Sequence, residues 1–366
     1  MVTSASPAQV IGFRVRAQQL DGGPGTLAGT AVLDIGVQDT GPDGARWALA
    51  IRGMDVSSLP GDELVLLWTI RGAPHFYRRS DLSRVAAEVQ PLSDADAGKR
   101  IFDAAKPLKA AGIGNLAALQ AVAEAMRSIV VKPMSKGEVS TRLTRLMDPP
   151  YRRFCRPCNA THLYEMPFRL AALRAGLELQ PDTSPPVLQR IRGFRPGPRR
   201  SKGAELIRTY LRLLGPATPK HVADYLDAPV KDVQAAWPSD VAEVSVEGQT
   251  RWVLAADLDR LLAGPAKTAR LLGPFDLLLQ AKDRSLLVGD PARTKELWPA
   301  LGRPGALLVD GAIVGTWRPR KSGATFRIQA RPWLDLSRKS RAALAEQAER
   351  LAAYRAVALS GIDFAD

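Results

Sequence analysis

The segment 202–262 constrains the fold more than any other part of the chain. Ala204–Leu214 reads as an amphipathic helix closed by Gly215 and Pro216. Thr218 is placed to cap a second helix, with Pro219 at its first position, where a missing N–H is harmless. Pro229 opens a third helix that ends before Pro238. Residues 243–247 and 250–254 then alternate apolar and polar around Gly248 and Gln249, the pattern of a half-buried hairpin.

Three helices followed by a hairpin is the winged-helix plan, a helix-turn-helix variant whose hairpin can touch DNA. The amino-terminal part repeats it. Helices are expected over 7–20, 27–37 and 44–52, followed by a strand at 63–70, a turn through Arg71 and Pro74, and a second strand at 75–77. The middle repeats it more loosely, with helices over 94–106, 116–129, 136–147 and 163–175 and extended pieces at 177–180 and 187–191. Beyond Arg270 the texture changes to short strands at 277–280, 285–288, 306–309, 312–317 and 325–329, as in a small sheet or partial barrel. A last helix over 338–357 carries Leu344, Ala348, Leu351 and Val357 on one face. The expected class is α+β. Winged-helix domains span 1–90, 91–192 and 193–268, a β-rich barrel-like domain spans 269–336, and a terminal helix covers 337–366.

Charge says what such a scaffold meets. Lysine and arginine outnumber acids 51 to 37, a net charge of +14, which favours a polyanion through phosphate contacts and counterion release. The excess is concentrated. Arg190, Arg192, Arg195, Arg199, Arg200 and Lys202 follow one another without an acid in a Pro- and Gly-rich linker. Lys132, Lys136, Arg142, Arg145, Arg152, Arg153 and Arg156 form a second cluster, opposed only by Glu138 and Asp148. Double-stranded DNA is the expected partner.

Other classes find no support. No apolar run approaches the ~20 residues that span a bilayer, and the amino terminus lacks a signal-peptide pattern. Two cysteines cannot make a disulfide scaffold, so a reducing cytoplasm is expected; as a DNA-binding protein the chain is expected there as a nucleoid-associated monomer. There is no phosphate-binding loop, dinucleotide fingerprint, zinc-protease helix or nucleophile elbow. The tryptophans are scattered singly through apolar stretches and read as core anchors rather than a stacking platform.

Four stretches carry a resemblance: Gly36 to Thr40 with Gly44 to Arg52, Leu67 to His75, Leu272 to Leu278, and Leu308 to Trp317. In this order they resemble the AlkZ-type winged-helix DNA glycosylases. The resemblance implies tandem winged helices around a DNA-sized concavity and removal of alkylated purines, including crosslinking adducts, without an organic cofactor. Alkylation at purine N3 or N7 makes the base cationic and a good leaving group. The enzyme then needs only to position a water and stabilise an oxocarbenium-like sugar.

The family does this with glutamine, any residue, then glutamine or aspartate. Here Gln38 matches the first position, Thr40 occupies the second, and Asp39 supplies a carboxylate one residue early. Either Gln38 positions water with Thr40 or Asp39 assisting, or the chain is a non-catalytic DNA-binding or regulatory relative. His75 falls where the family histidine lies and is expected to contact DNA, alongside Arg142, Arg145, Arg152, Arg153 and the linker residues. Cys155, Cys158 and His162 have the spacing of three zinc ligands without an evident fourth. A pair of reduced cysteines in a hairpin is the alternative, so a bound zinc stays open.

Overall fold

The computed structural model describes residues 3–23, 25–41, 44–56, 62–194, 203–322 and 325–365. The chain forms two compact units, one of residues 1–59, 209–221 and 239–366, the other of 60–208 and 222–238.

In the first unit, helix Pro7–Ala17 starts at a capping box in which Ser6 and Gln9 satisfy each other's exposed backbone donors. Its buried face includes Val10, Phe13 and Arg14. Two antiparallel strands, Val241–Val246 and Gln249–Leu254, form the hairpin expected from the sequence, and Thr3–Ser4 adds in parallel to the first. A five-stranded sheet follows in the order Ala269–Leu272, Gly305–Val309, Ala312–Ser322, Thr325–Pro332, Ala358–Phe364. Gly305–Val309 is buried on both faces, whereas in Thr325–Pro332 Phe326, Ile328 and Ala330 alone point inward with every second residue. Helix Arg338–Tyr354 covers this sheet through Leu344, Ala348 and Leu351.

Three buried ion pairs, around two carboxylates, cross-link this unit. Arg14 holds both oxygens of Asp283 at 2.9 and 2.7 Å, and Arg251 binds the same carboxylate. Arg52 grips Asp276 at 2.8 and 3.0 Å while donating to the carbonyls of Gln18 and Ala48.

In the second unit five strands are neighbours in the order Pro74–Arg78, Leu64–Trp68, Leu177–Leu179, Val187–Arg190, Met134–Ser135. Val65, Leu67 and Tyr77 from the central pair pack with Val85 and Leu173 in one core cluster. Helix Asn115–Ile129 buries Leu119, Val122, Ala123 and Met126, the stripe its periodicity predicts. A capping box of Ser135 and Glu138 starts helix Lys136–Leu146, which buries only Val139 and Leu143, one turn apart. Apart from the exposed Leu146, the remaining faces of that helix carry polar and charged side chains. An antiparallel hairpin follows, Arg152–Cys155 with Ala160–Leu163.

Several expectations fail locally. The helix expected over 27–37 is a short 3-10 turn, Ala31–Asp34, followed by the extended pair Val37–Gln38. Thr30 turns its hydroxyl onto the carbonyl of Thr26, and Gly36 adopts a positive φ of 91° between the two pieces. Both divert the backbone from a continuing helix. The expected helix 94–106 is two, Asp94–Arg100 and Ala105–Ala110. The strands expected at 277–280 and 285–288 are the helical turns Leu277–Gln280 and Arg284–Leu287, because short apolar runs do not tell a buried turn from a strand. The five-stranded sheet is linear in order, with Ala269–Leu272 and Ala358–Phe364 at its ends.

Candidate active site

Gln38, Asp39 and Thr40 lie where the Val37–Gln38 strand gives way to helix Gly44–Ala50, and all three are partly exposed. Val37 is buried and anchors the strand beneath them. The side chains then divide their tasks. Asp39 Oδ1 accepts the Ala45 backbone N–H at 2.9 Å, satisfying a donor that the first turn of the helix leaves without an intrahelical partner. Gln38 Nε2 donates to Thr40 Oγ1 at 3.0 Å. The structure therefore brings Gln38 and Thr40 together and turns Asp39 to the helix start. Because the Thr40 oxygen accepts from the amide, its own O–H is set to donate elsewhere.

Thr40 lines a cavity of about 310 Å³, the lower end of the volumes that hold small ligands. Gly41, Gly44, Phe275, Arg303 and Trp317 contribute to its walls. Arg303 lies over the Phe275 ring, 5.4 Å from its centroid. Trp317 is held by an Nε1–H bond of 2.9 Å to the Leu272 carbonyl. Gly305 makes that placement possible, since a Cβ there would sit 2.2 Å from the indole nitrogen. Asp276 lines the same cavity and fixes it to the helix through Arg52. The chain therefore joins a flat aromatic wall and a cation beside an amide–hydroxyl pair.

Phe275 and Trp317 lie within two of the stretches that carry the resemblance, but nothing in the sequence marks either as a site residue, and Trp317 reads there as a core anchor. Arg303, between them, carries no local signal in the sequence. Only the return of Gly305–Val309 beside Ala269–Leu272 brings it there.

In the second unit, Arg142 and Arg145 are exposed on helix Lys136–Leu146, and Arg153 and Arg156 are exposed on the hairpin that follows. Arg153 stacks its guanidinium 5.8 Å from the Tyr164 ring, and Phe154 between them is 61% exposed. Arg152 has a structural task, donating Nη1–H to the Thr144 carbonyl at 3.1 Å. Arg190 is exposed but donates to the Val130 and Arg127 carbonyls at 2.8 and 2.9 Å, closing the end of helix Asn115–Ile129. Arg192 is exposed. Arg195, Arg199, Arg200 and Lys202 lie outside the described residues.

His75 does not fit the DNA-contacting role expected for it. The ring is 1% exposed. Nδ1 lies 2.9 Å from the Ala73 carbonyl and 3.1 Å from the Thr69 hydroxyl, which in turn meets Tyr77 Oη at 2.9 Å. Burial, helped by the Arg71 charge, pushes its pKa down to about 3, so the ring is a neutral core group. Burial likewise raises the Tyr77 phenol. Of Cys155, Cys158 and His162, all on or beside the hairpin, the ligating atoms lie within 4.8 Å of one another. Hydrogen bonds from His162 and from Cys158 lower the Cys155 thiol to about 7 and, in exchange, the Cys158 thiol is raised.

Among the described residues no helix is long and apolar enough to cross a membrane. A family model, "DNA glycosylase AlkZ-like", matches residues 32–354. No curated protein matches the chain. Among solved structures, the DNA glycosylase AlkZ of Streptomyces sahachiroi is similar over 99% of this chain and 100% of that one, with a TM-score of 0.77 and 21% sequence identity. At that identity the likeness establishes a shared fold.

Proposed function

The chain belongs to the AlkZ-like DNA glycosylase family, a family of DNA repair, and from that premise we propose that it is a monofunctional glycosylase for purines alkylated at N3 or N7. Natural-product adducts that leave the same cationic base fall within this substrate class. The observation that carries the proposal is the hydrogen bond that ties Gln38 to Thr40, a residue lining the cavity.

The chemistry asks little of the protein. An N7-alkylated purine carries a positive charge that the C1′–N9 electron pair neutralises as the bond breaks. Water then forms the new bond to C1′, and its surplus proton passes to solvent. Gln38 Oε1 is the acceptor that orients this water, because Nε2 is directed to Thr40. Its partial negative charge also favours the oxocarbenium-like sugar. Neither an amide nor a hydroxyl is a base near neutral pH. The pair therefore suits a cationic leaving group and not an unmodified purine, whose departure needs protonation.

Duplex DNA is held by phosphate contacts. Arg142, Arg145, Arg153, Arg156 and Arg192 are the exposed candidates, together with the linker at 195–202. The helix–helix–helix–hairpin order of 204–254 supports one winged helix, and with the domains expected over 1–90 and 91–192 it makes up the tandem arrangement of this proposal. The protein works on DNA as a monomer in the cytoplasm.

The test is base release from duplexes carrying N7-methylguanine or N3-methyladenine, scored as strand breaks after alkali. Release from the cationic lesions but not from unmodified duplex is expected. Tight duplex binding with no release from any alkylated substrate would instead favour a DNA-binding protein without catalysis, the reading that Thr40 in place of an amide or carboxylate supports.

A further inference from the structure

The hairpin 152–163 has chemistry that glycosidic cleavage does not use. We propose that Cys155, Cys158 and His162 form a binding site for a thiophilic divalent cation, zinc above all, with water in the fourth position.

The hairpin register sets the geometry. Cys155 pairs with Ala160 and Arg153 with His162, so Cys155 and His162 share one face, two residues apart along the opposing strands. The chain then turns through 156–159, with Asn159 at a positive φ of 48° and its N–H on the Arg156 carbonyl at 3.1 Å. That turn folds Cys158 back over the same face. Two sulfurs and one ring nitrogen end within 4.8 Å of one another, close to the spacing of ligand atoms around a single ion with Zn–S near ~2.3 Å and Zn–N near ~2.0 Å.

A second observation concerns the ring itself. His162 Nδ1 lies 2.8 Å from the Leu163 carbonyl. A proton on Nδ1 donated there leaves the Nε2 lone pair free of that bond and fixes the plane of the ring. Metal-bound histidines are commonly oriented in this way by a backbone carbonyl on the other nitrogen. Cys155 is partly exposed and Cys158 is exposed, which leaves room for a solvent ligand and an entry path. Glu165, the nearest acid along the chain, has its carboxylate on Lys136 and Arg169, both at 2.6 Å. Among the described residues it is not part of the cluster.

The ligand set selects the metal. Two thiolates and an imidazole suit zinc, and not magnesium or calcium, which take oxygen donors. Binding releases the two thiol protons to solvent, and the thiolate charges balance the ion. The ion would lock the tip of a short hairpin that carries Arg153, Phe154 and Arg156 outward. The site stands on the hairpin alone and does not depend on the glycosylase proposal.

The full chain, reduced, stripped with a chelator and titrated with zinc against a chromophoric competitor, is expected to take up one ion. Cobalt in its place is expected to give thiolate-to-metal charge transfer and the intense visible bands of a tetrahedral site. Cys155→Ser, Cys158→Ser and His162→Ala should each weaken binding by more than the roughly 10–100-fold that loss of an outer partner costs, with unchanged far-UV circular dichroism. Zinc should protect both thiols from alkylation. Uptake well below one ion, zinc retained by the Cys155→Ser/Cys158→Ser pair, or thiols alkylated equally with and without zinc would overturn the site. So would closure of a Cys155–Cys158 disulfide in place of metal uptake when reductant is removed.

Discussion

Neighbouring residues with similar chemistry can do unrelated work, and Gln38, Asp39 and Thr40 show how. Asp39 is the only carboxylate of the three, yet its oxygen satisfies the Ala45 N–H. Asp39→Ala should therefore lower stability by about 1 kcal/mol, as loss of a helix cap does, and shift the melting temperature more than the rate of base release. Thr40→Asp restores the carboxylate that the family motif has at this position. Faster single-turnover release by this variant than by the native chain is expected. An unchanged rate would show that the second position does not reach the reacting sugar. His75 gives a prediction in pH. The folded ring takes a proton only near 3, whereas an unfolded histidine does so near ~6.5. Its imidazole resonances should hold their neutral positions as pH falls through ~6.5, and its contribution to stability should fall steadily between that pH and about 3. The residues of the motif are legible in the sequence, but the work within it is not. A capping carboxylate and a catalytic one look alike until the following helix is in place. The enclosure of His75 is equally hidden, because it appears only once the strands pair and the turn brings Thr69 and the Ala73 carbonyl onto the ring.

Among the elements, those with strong periodicity are readable in the residues. Helix Asn115–Ile129, helix Ala204–Leu214 and the hairpin 241–254 all fall within a few residues of expectation. Elements decided by distant contacts are not. Ala269–Leu272 and Ala358–Phe364 become strands only because the sheet recruits them. Leu277–Gln280 is too short and too apolar throughout to declare its type. The hairpin 152–163 carries the prediction at this scale. Arg153 and Arg156 are exposed on it, whereas Arg152 holds the Thr144 carbonyl. Replacing Arg153 or Arg156 by alanine should weaken binding to any duplex and reduce the slope of log affinity against log salt by about one for each phosphate no longer neutralised. Arg152→Ala should cost stability as well.

For the whole molecule, the buried Arg14–Asp283–Arg251 group matters most, because it joins helix Pro7–Ala17, the hairpin 241–254 and the turn Arg284–Leu287 of one unit. Its charges lie almost wholly out of water. Removing the one anion leaves two buried guanidinium groups, so Asp283→Ala should destabilise by roughly 3–5 kcal/mol, measured as a shift in denaturant midpoint. The two arginines hold the Asp283 carboxyl below the usual carboxylate range against the opposing effect of burial. A depressed carboxylate stabilises fully above its unfolded value near ~3.9. That stabilisation is lost as pH falls below it through the folded value, so acid unfolding of the native chain should steepen there and Asp283→Asn should flatten it. Net charge, too, is plain from the residues, but its distribution is only half so. One of its two concentrations can be followed onto a helix and a hairpin, and most of the other lies beyond the described residues.

The most direct measurement is single-turnover release of N7-methylguanine from a duplex, comparing the native chain with Gln38→Ala at saturating protein. Orientation of water by the Gln38 amide requires a drop of roughly a hundredfold or more, with duplex affinity and melting temperature unchanged. Release at the native rate without that amide would contradict it.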